Sequence, residues 1–188
     1  MPTNDDADET LMLCYREGDA DAFARLYVRH KGPLYRYLLC QCGQPAVAEE
    51  LFQDVWLKLI AARSGYVVQA KFTTWLYRLA HNRLIDHYRA SARRVPTSRA
   101  DDCPEWAEVP APAEAQPENQ EDRRRRAERL LSLLAELPEA QREAFLLKEE
   151  GGLSLEAIAQ ATGTGRETVK SRLRYALARL RRGLGGAP

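Results

Sequence analysis

The chain has 188 residues, a hydrophobic fraction of 45% and a formal net charge of +1 at pH 7. This length allows one medium domain or two small ones, and the apolar content is sufficient to build a core. No apolar run approaches the length of a membrane span, and the acidic, polar stretch 1–10 lacks the pattern of a secretory signal, so we expect a cytoplasmic protein without membrane insertion.

The charges are strongly segregated along the chain. Residues 71–99 hold seven basic side chains and one acidic one, and residues 151–188 hold seven basic and two acidic ones. Between them, residues 100–122 hold eight acidic side chains and no basic one. A solvated surface would scatter its charges more evenly, so the pattern predicts two nucleic-acid-facing surfaces separated by an anionic connector.

The cysteines and histidines do not form a metal or redox motif. We expect Cys14, Cys40, Cys42 and Cys103 to be reduced thiols in a cytoplasmic protein. Cys40 and Cys42 have no matching His/Cys pair at zinc spacing, so small buried hydrophobes are the favoured interpretation. The sequence also lacks a nucleophile motif and a phosphate-binding glycine loop. An enzyme therefore has little support, and we predict no metal and no cofactor.

The apolar residues follow an almost entirely helical period. A short helix is expected at 10–17 and a longer one at 19–39, in which the Gly-Pro pair at 32–33 predicts a break or kink. A third helix is expected at 46–63, with Pro45 suited to its first turn.

The third helix has a core-facing apolar stripe and a polar opposite face. Gln53, Asp54 and Lys58 lie on the polar face, and Leu57 falls among them. An exposed Leu is often incidental. An apolar residue ringed by charges is also typical of a protein-docking surface. The residues alone leave both interpretations open.

Residues 64–71 are predicted to form a loop, and the next helix is predicted at 72–93. The outward side of this helix mixes Arg with Asn, Asp and aromatic residues. That composition suits single-stranded or melted nucleic acid, because bases stack on rings and on guanidinium planes. The alternative is an ordinary core helix, and for Trp75 a packed position is favoured.

The composition changes at 95–122, where five prolines occur among Ala, Glu, Asp and Gln. We predict a flexible linker there, with an end-to-end span of roughly 30 Å. The linker divides the chain into two domains, at 10–94 and 123–183.

The second domain ends in a predicted helix-turn-helix. Ser154 is a suitable N-cap for its first helix and Gly163 a suitable stop. The second helix, at 166–182, is expected to turn four apolar residues inward: Val169, Leu173, Leu177 and Leu180. Its outward side carries groups that can hydrogen-bond base edges and phosphates in a major groove. An ordinary amphipathic surface helix is the alternative.

Four stretches, at 18–30, 48–59, 72–89 and 134–181, carry a combined resemblance. In this order and spacing they resemble the bacterial RNA polymerase sigma factors of the sigma-70 family, in the minimal two-domain extracytoplasmic-function (ECF, group 4) form. The first resembles the opening of the first sigma domain, and the second (AEELFQDVWLKL) the helix that binds core polymerase. The third (FTTWLYRLAHNRLIDHYR) resembles the −10-reading helix and the fourth the −35-reading domain.

The resemblance implies an all-α fold of two small helical domains, sigma region 2 at 10–94 and sigma region 4 at 123–183. It implies a non-enzymatic function: to bind core RNA polymerase and direct it to promoters, reading the −10 element with helix 72–93 and the −35 element with helix 166–182. The implied partners are the clamp helices and flap of the large polymerase subunits and promoter DNA. An anti-sigma factor is a further family expectation.

The resemblance also implies roles for individual residues. Contact with the clamp helices falls to the polar face of the third helix: Gln53, Asp54, Leu57 and Lys58. Capture of a flipped base falls to the loop before the −10 helix: Ser64, Gly65, Tyr66, Val67, Val68, Gln69, Ala70 and Lys71. The −10 element falls to the outward side of that helix: Asn82, Arg83, Asp86, Tyr88, Arg89 and Arg93. The −35 element falls to the outward side of the last helix: Arg166, Glu167, Thr168, Lys170, Ser171, Arg172 and Arg174.

A free-standing DNA-binding regulator is the main alternative function. Such a regulator needs neither the docking face at 53–58 nor the basic segment at 71–99.

Promoter elements about 25 base pairs apart lie roughly 85 Å apart along the duplex, at about 3.4 Å per pair. We expect the linker to let the two domains cover that distance, and its acidic residues to mimic the charge of nascent RNA.

Overall fold

The computed structural model describes residues 6–93 and 117–185 of the chain. These two stretches contain eight α-helices, one short 3-10 helix and no strand, which confirms the predicted all-α fold. The first stretch, here called the N-terminal half, contains α1 Asp8–Arg16, α2 Ala20–Cys42, α3 Pro45–Ala62, the 3-10 helix Arg63–Gly65 and α4 Phe72–Arg93. The second, the C-terminal half, contains α5 Pro117–Ala135, α6 Glu139–Glu149, α7 Leu155–Thr162 and α8 Arg166–Gly185.

Capping side chains fix the boundaries of several helices. The Asp19 carboxylate accepts hydrogen bonds from the amides of Asp21 and Ala22 at the start of α2, at 3.0 and 3.2 Å. The Ser154 hydroxyl accepts from the amide of Ala157 at 3.1 Å at the start of α7. Gly163 ends α7 with a φ of 64°, a left-handed conformation that favours glycine. Both predicted limits of α7 are therefore confirmed.

The predicted break at 32–33 is wrong, because α2 continues as one helix through Pro33, and the kink predicted as its alternative stays a prediction. A proline inside a helix removes one backbone hydrogen bond and crowds the preceding turn. Burial on both sides compensates, since Leu26 and Leu34 are completely buried. Each fully buried Leu contributes about 1.5–3 kcal/mol, which can offset the local cost of the proline.

Most of the predicted linker lies outside the described residues. Its last six positions do not, and they are helical, because α5 begins at Pro117 rather than at the predicted boundary near 123. A proline suits the first turn of a helix, since its missing N–H would have no partner there. The remaining domain limits stay a prediction.

One core runs through both halves of the described structure. The N-terminal half contributes fully buried residues such as Leu38, Leu51 and Leu76, and the C-terminal half contributes Leu147 and Ile158. The halves meet where α7 packs on α4 and where α6 packs on α2. The arrangement places the helix-turn-helix directly against the predicted −10 helix.

One predicted core position of α8 is wrong. Val169, Leu173 and Leu180 are buried as predicted, but Leu177 is 36% exposed and Ala176 is fully buried in its place. Residues at spacings of four and seven from Val169 share one helix face, and 176 satisfies that register better than 177. The smaller side chain therefore allows α8 to pack closely.

Candidate polymerase and promoter interfaces

The polar face of α3 displays an isolated apolar side chain. Leu57 is 61% exposed, and Gln53 and Lys58 beside it are also exposed. Asp54 is half-buried because its carboxylate accepts a hydrogen bond from Arg83 of α4 at 2.6 Å. The face thus combines one protruding Leu with charged and amide groups, a composition suited to docking on another protein.

Contacts with α3 restrain one of the predicted −10 residues. Arg83 is 16% exposed and bridges Asp54 and Glu50, with an N–O distance of 3.1 Å to Glu50. Lys58 lies 3.8 Å from the carboxylate of Asp86. The predicted docking face and the predicted −10 face are therefore joined by ion pairs rather than independent.

The remaining −10 candidates on α4 fall into two groups. Asn82, Asp86 and Arg89 are exposed and line one shallow concavity. Tyr88 is half-buried, and its hydroxyl donates to the carbonyl of Gln41 at 3.0 Å. Burial and the neighbouring Glu139 raise the pKa of Tyr88 well above its usual range. The last predicted −10 residue, Arg93, has a side chain that lies outside the described part of the structure.

The loop before α4 forms one wall of a cavity of about 540 Å³. Tyr66 is buried in this wall, with its ring centroid 5.0 Å from that of Trp75. Its hydroxyl has no hydrogen-bond partner, and burial together with Glu9 raises its pKa to about 12. Val67 and Val68 are both exposed, and of the two only Val67 lines the cavity. Of the eight predicted loop residues, six line the cavity or its mouth: Ser64, Gly65, Tyr66, Val67, Gln69 and Ala70.

The start of α4 is held by α1, a contact that sequence reasoning missed. The amide of Phe72 donates to the carboxylate of Glu9 at 2.6 Å. The guanidinium of Arg16 donates to the carbonyl of Tyr66 at 3.0 Å. Both partners are more than 45 positions away in the chain, so no local capping signal could reveal them.

The outward side of α8 is largely free of contacts with other helices. Five of its seven predicted −35 residues are exposed, and two, Ser171 and Arg172, are half-buried. The exposed five are Arg166, Glu167, Thr168, Lys170 and Arg174. The guanidinium of Arg166 lies 2.5 Å from the carboxylate of Glu156 in α7. That hydrogen bond lowers the pKa of Glu156 below its usual value. Glu156 of α7 therefore positions Arg166, the first of the predicted −35 residues.

Two cysteines near the end of α2 are half-buried free thiols. Burial raises the pKa of Cys40 to about 11, with Glu150 as the next cause, and burial also raises the pKa of Cys42.

Among the described residues, no group of three His, Cys, Asp or Glu side chains could hold a metal ion. No helix of the described part is long and apolar enough to cross a membrane.

Comparisons with known proteins agree with this geometry. Residues 26–94 match Sigma-70 region 2, and residues 127–180 match Sigma-70, region 4. The chain is 30% identical to the RNA polymerase sigma factor CarQ of Myxococcus xanthus, over 91% of this chain and 94% of that protein. It is 36% identical to the ECF RNA polymerase sigma factor RpoE of Cereibacter sphaeroides, over 87% of this chain and 86% of that protein.

Solved structures show the same fold. The structure of CnrH in complex with the cytosolic domain of CnrY aligns with a TM-score of 0.69 and 23% identity, covering 97% of this chain and 100% of that one. The matches to both sigma regions and to relatives along most of their length identify the family. The chain belongs to the ECF sigma factors of the sigma-70 family, which direct RNA polymerase to specific promoters for transcription initiation.

Proposed function

We propose that α3 docks this sigma factor on core RNA polymerase, that α4 and the loop before it read the −10 element, and that α8 reads the −35 element. The observation that carries the proposal is the exposure of Leu57 at the centre of the polar face of α3. A regulator acting alone would gain nothing from a solvent-exposed Leu among charges, whereas a partner helix can bury it.

The proposed polymerase site is the face formed by Gln53, Asp54, Leu57 and Lys58. Leu57 supplies the apolar anchor, and the charged groups around it set the register of docking. Ile60, which is 37% exposed one turn further along, extends the apolar contact. Partner surfaces on the large polymerase subunits, the clamp helices for α3 and the flap for the C-terminal half, belong to this proposal.

The proposed −10 site consists of the cavity beside Tyr66 and the exposed side of α4. Unstacking one base costs a few kcal/mol, which a pocket with an aromatic wall and polar groups can offset. The ring of Tyr66 belongs to this wall, and the exposed side chains of Ser64 and Gln69 can hydrogen-bond a base in the cavity. Asn82, Asp86 and Arg89 line another concavity, on α4, which we assign to the strand beyond the captured base.

The proposed −35 site is the exposed side of α8. Its groups divide by chemistry: Arg166 and Arg174 can read base edges with two donors each, whereas Lys170 acts as a point charge toward phosphate. Glu156 holds the guanidinium of Arg166 from the neighbouring helix. The site is therefore ordered before DNA arrives.

The chain itself has no catalytic role in this proposal, and RNA synthesis belongs to the core enzyme. The proposal also includes a cytoplasmic location, because RNA polymerase and promoter DNA lie in the bacterial cytoplasm. An anti-sigma factor is a proposed further partner, supported by family membership and by the similar structure of the sigma factor RpoE in complex with the anti-sigma factor NepR from Bartonella quintana.

In vitro transcription with purified core polymerase and a library of promoter fragments tests the proposal. We expect sequence-specific initiation that falls at least about tenfold on Leu57→Ala, because the anchor of the docking face is lost. Val28→Ala is the matched control, since Val28 is a 64% exposed apolar residue on α2 outside this face.

Two results would contradict the proposal. Equal loss with both Ala variants would remove the special role of α3. Specific binding to duplex DNA that does not depend on core polymerase would favour the free-standing regulator.

A further inference from the structure

Helix α1 holds the loop before α4 at both of its ends. At the start of α4, the amide of Phe72 donates to the carboxylate of Glu9 at 2.6 Å. At the other end of the loop, the guanidinium of Arg16 donates to the carbonyl of Tyr66 at 3.0 Å. The stretch between these two points, 67–71, has four exposed residues out of five. One short helix therefore fixes the backbone on either side of an exposed segment.

The spacing along α1 explains how a single helix reaches both ends of the loop. Glu9 and Arg16 are close to two helical turns apart, so they lie on the same face of α1 at an axial separation of about 10 Å. The backbone from residue 66 to residue 72 could span about 20 Å when extended. The chain between the two contacts is therefore longer than the distance it has to cover, and it bows outward, in agreement with the exposure of Val67 and Gln69.

The first turn of α4 takes its cap from α1. Position 71, directly before α4, is Lys, whose side chain has no hydrogen-bond acceptor. The N–H groups at a helix start need acceptors from outside the helix, and a carboxylate there also interacts favourably with the helix dipole. Glu9 meets both needs from 63 positions away. The direction in which α4 leaves the loop is therefore set by a residue of another helix.

Tyr66 is held by its side chain as well as by its carbonyl. The side chain is buried, and its ring centroid lies 5.0 Å from that of Trp75 on α4. Burial, followed by the carboxylates of Glu9 and Asp8, raises the pKa of Tyr66, which places its hydroxyl near the start of α1. The aromatic wall of the cavity is thus packed between α1 and α4.

The 3-10 helix that precedes the loop also rests on α1. The guanidinium of Arg63 lies over the ring of Tyr15, 5.3 Å from its centroid. The amide of Tyr66 donates to the carbonyl of Arg63 at 3.2 Å. Ser64, one of the two exposed side chains that can hydrogen-bond a base in the cavity, lies between these contacts in the chain. Its position therefore depends on α1 as well.

Helix α1 is itself fixed to α2, so it forms a rigid support for the loop. The carboxylate of Asp8 lies 2.8 Å from the guanidinium of Arg29 and 2.8 Å from Nε2 of His30, both on α2. Leu11 and Met12 on α1 are completely buried. Large apolar side chains in a close-packed core resist displacement, and so does a carboxylate with two partners.

We propose that α1 positions the loop that captures a −10 base, and that Glu9 and Arg16 are positioning residues that set how well the base is discriminated. The role rests on the proposed assignment of the −10 site to this cavity. Neither Glu9 nor Arg16 is among the residues that line the cavity. They act through the backbone that carries Ser64 and Gln69, because a recognition site must be held within about 0.5 Å of its productive geometry by the groups around it.

A positioning role affects discrimination between bases rather than initiation as a whole. Loss of stability in the N-terminal half would lower initiation from all promoters alike. A displaced loop instead changes the ratio between promoters that differ only at the captured base, because hydrogen bonds to a base depend strongly on distance and angle. Preference at the −35 element, which is assigned to α8, should stay unchanged.

NMR of the free protein tests the contact without DNA or polymerase. In the wild type we expect the amide proton of Phe72 to be shifted downfield and protected from exchange, because it donates to a carboxylate. Glu9→Ala should remove both effects. Glu9→Gln should keep most of the protection, since the side-chain oxygen of Gln can still accept. A Phe72 amide that does not respond to Glu9→Ala would overturn the contact.

Asp19→Ala is the matched control. The Asp19 carboxylate also caps a helix, but its two hydrogen bonds come from the amides of Asp21 and Ala22 in α2. Its loss should leave the Phe72 amide and the base preferences as in the wild type, which separates loss of a helix cap from displacement of the loop. Circular dichroism checks that every variant keeps its helices.

The functional consequence is measured as initiation by core polymerase from promoters that differ at single −10 positions. Combining Ser64→Ala with Gln69→Ala identifies the position that the loop reads. At this position, the ratio of initiation between the preferred base and the others should fall at least about fivefold in Glu9→Ala and in Arg16→Ala, because a correct base contact is usually worth more than that. Glu9→Gln should restore most of the ratio.

The double loop variant separates failure of the positioning role from failure of the proposed −10 site. If it changes a base preference while Glu9→Ala and Arg16→Ala lower initiation equally for all bases, the positioning role is overturned and the −10 site stands. A loss of discrimination in Asp19→Ala as large as that in Glu9→Ala would overturn the positioning role too. A double loop variant without any change in base preference would overturn the −10 site and the positioning role together.

Discussion

The two proposed reading helices, α4 and α8, differ in what their polar side chains contact before DNA arrives. On α4, Arg83 pairs with carboxylates of α3, and Tyr88 donates a hydrogen bond to a backbone carbonyl. On α8, Lys170 and Arg174 contact only near neighbours in the chain, according to the described contacts. In the proposed assignment, Lys170 and Arg174 can meet DNA without leaving another helix, whereas Arg83 and Tyr88 must exchange protein partners for DNA. Promoter opening can be coupled to that exchange.

Leu76→Ala and Leu177→Ala compare a core position of α4 with a position of α8 outside the core, and the first has the largest expected effect. Leu76 is completely buried, so its truncation should lower the free energy of unfolding by about 2–5 kcal/mol. Leu177 of α8 is partly exposed, and its truncation should change the value by about 0.5 kcal/mol or less. Chemical denaturation monitored by circular dichroism measures both. Similar losses would show that Leu177 is packed as deeply as Leu76.

Arg174→Ala tests whether the α8 surface acts on DNA without supporting the fold. We expect initiation from promoters with an intact −35 element to fall about tenfold, since one base or phosphate contact contributes about 1–3 kcal/mol. Binding to core polymerase and the unfolding free energy should stay unchanged. A pull-down with core enzyme and a transcription assay check these outcomes together, and weaker polymerase binding would contradict the assignment.

Arg83→Ala tests the opposite behaviour on α4. The substitution leaves Asp54 without its close partner, and we expect a loss of about 1 kcal/mol in unfolding free energy, reduced by the partial exposure of that carboxylate. The same change should weaken both polymerase docking and −10 recognition. An effect on only one of these activities would show that the two faces are independent after all.

The titration of Glu156 is the finest test, because it asks whether Arg166 is held in the free protein. The hydrogen bond from Arg166 places the pKa of Glu156 below its ordinary value of 4.5. Since the folded-state pKa is depressed, the contribution of the pair is present above about pH 4.5 and is lost as the pH falls through the folded-state value. NMR titration should give a midpoint below 4.5 that rises on Arg166→Ala. A midpoint unaffected by that change would mean that Arg166 is not preformed.

The sequence predicted local features better than long-range ones. Ser154 and Gly163 limit α7 as expected, because capping depends on side chains within a few positions. Leu57 is exposed as the pattern on α3 indicated. By contrast, continuation of α2 through Pro33 depends on tertiary burial that outweighs a local penalty. On α8, the prediction favoured the larger apolar side chain at 177, whereas the buried face of the helix runs through Ala176.

The site residues show the same limit. The sequence placed Arg83 on an outward face, but it could not show that Asp54 and Glu50 lie opposite, because the contact spans 29 and 33 positions. The pairing of His81 with Glu143 joins two halves that the composition suggested were separate. Charge counts describe what a segment contains, whereas partners depend on packing between helices.

The half-buried thiols at the end of α2 have a practical and physiological consequence. With a pKa of about 11, Cys40 is ionised in only about one molecule in ten thousand at neutral pH. Peroxide and alkylating reagents react with the thiolate, so Cys40 reacts slowly although the Cys-Gln-Cys sequence places a second cysteine close by. An oxidant would have to act on this protein at a group other than Cys40. A cysteine introduced on an exposed helix face could be labelled in its presence with little background from Cys40.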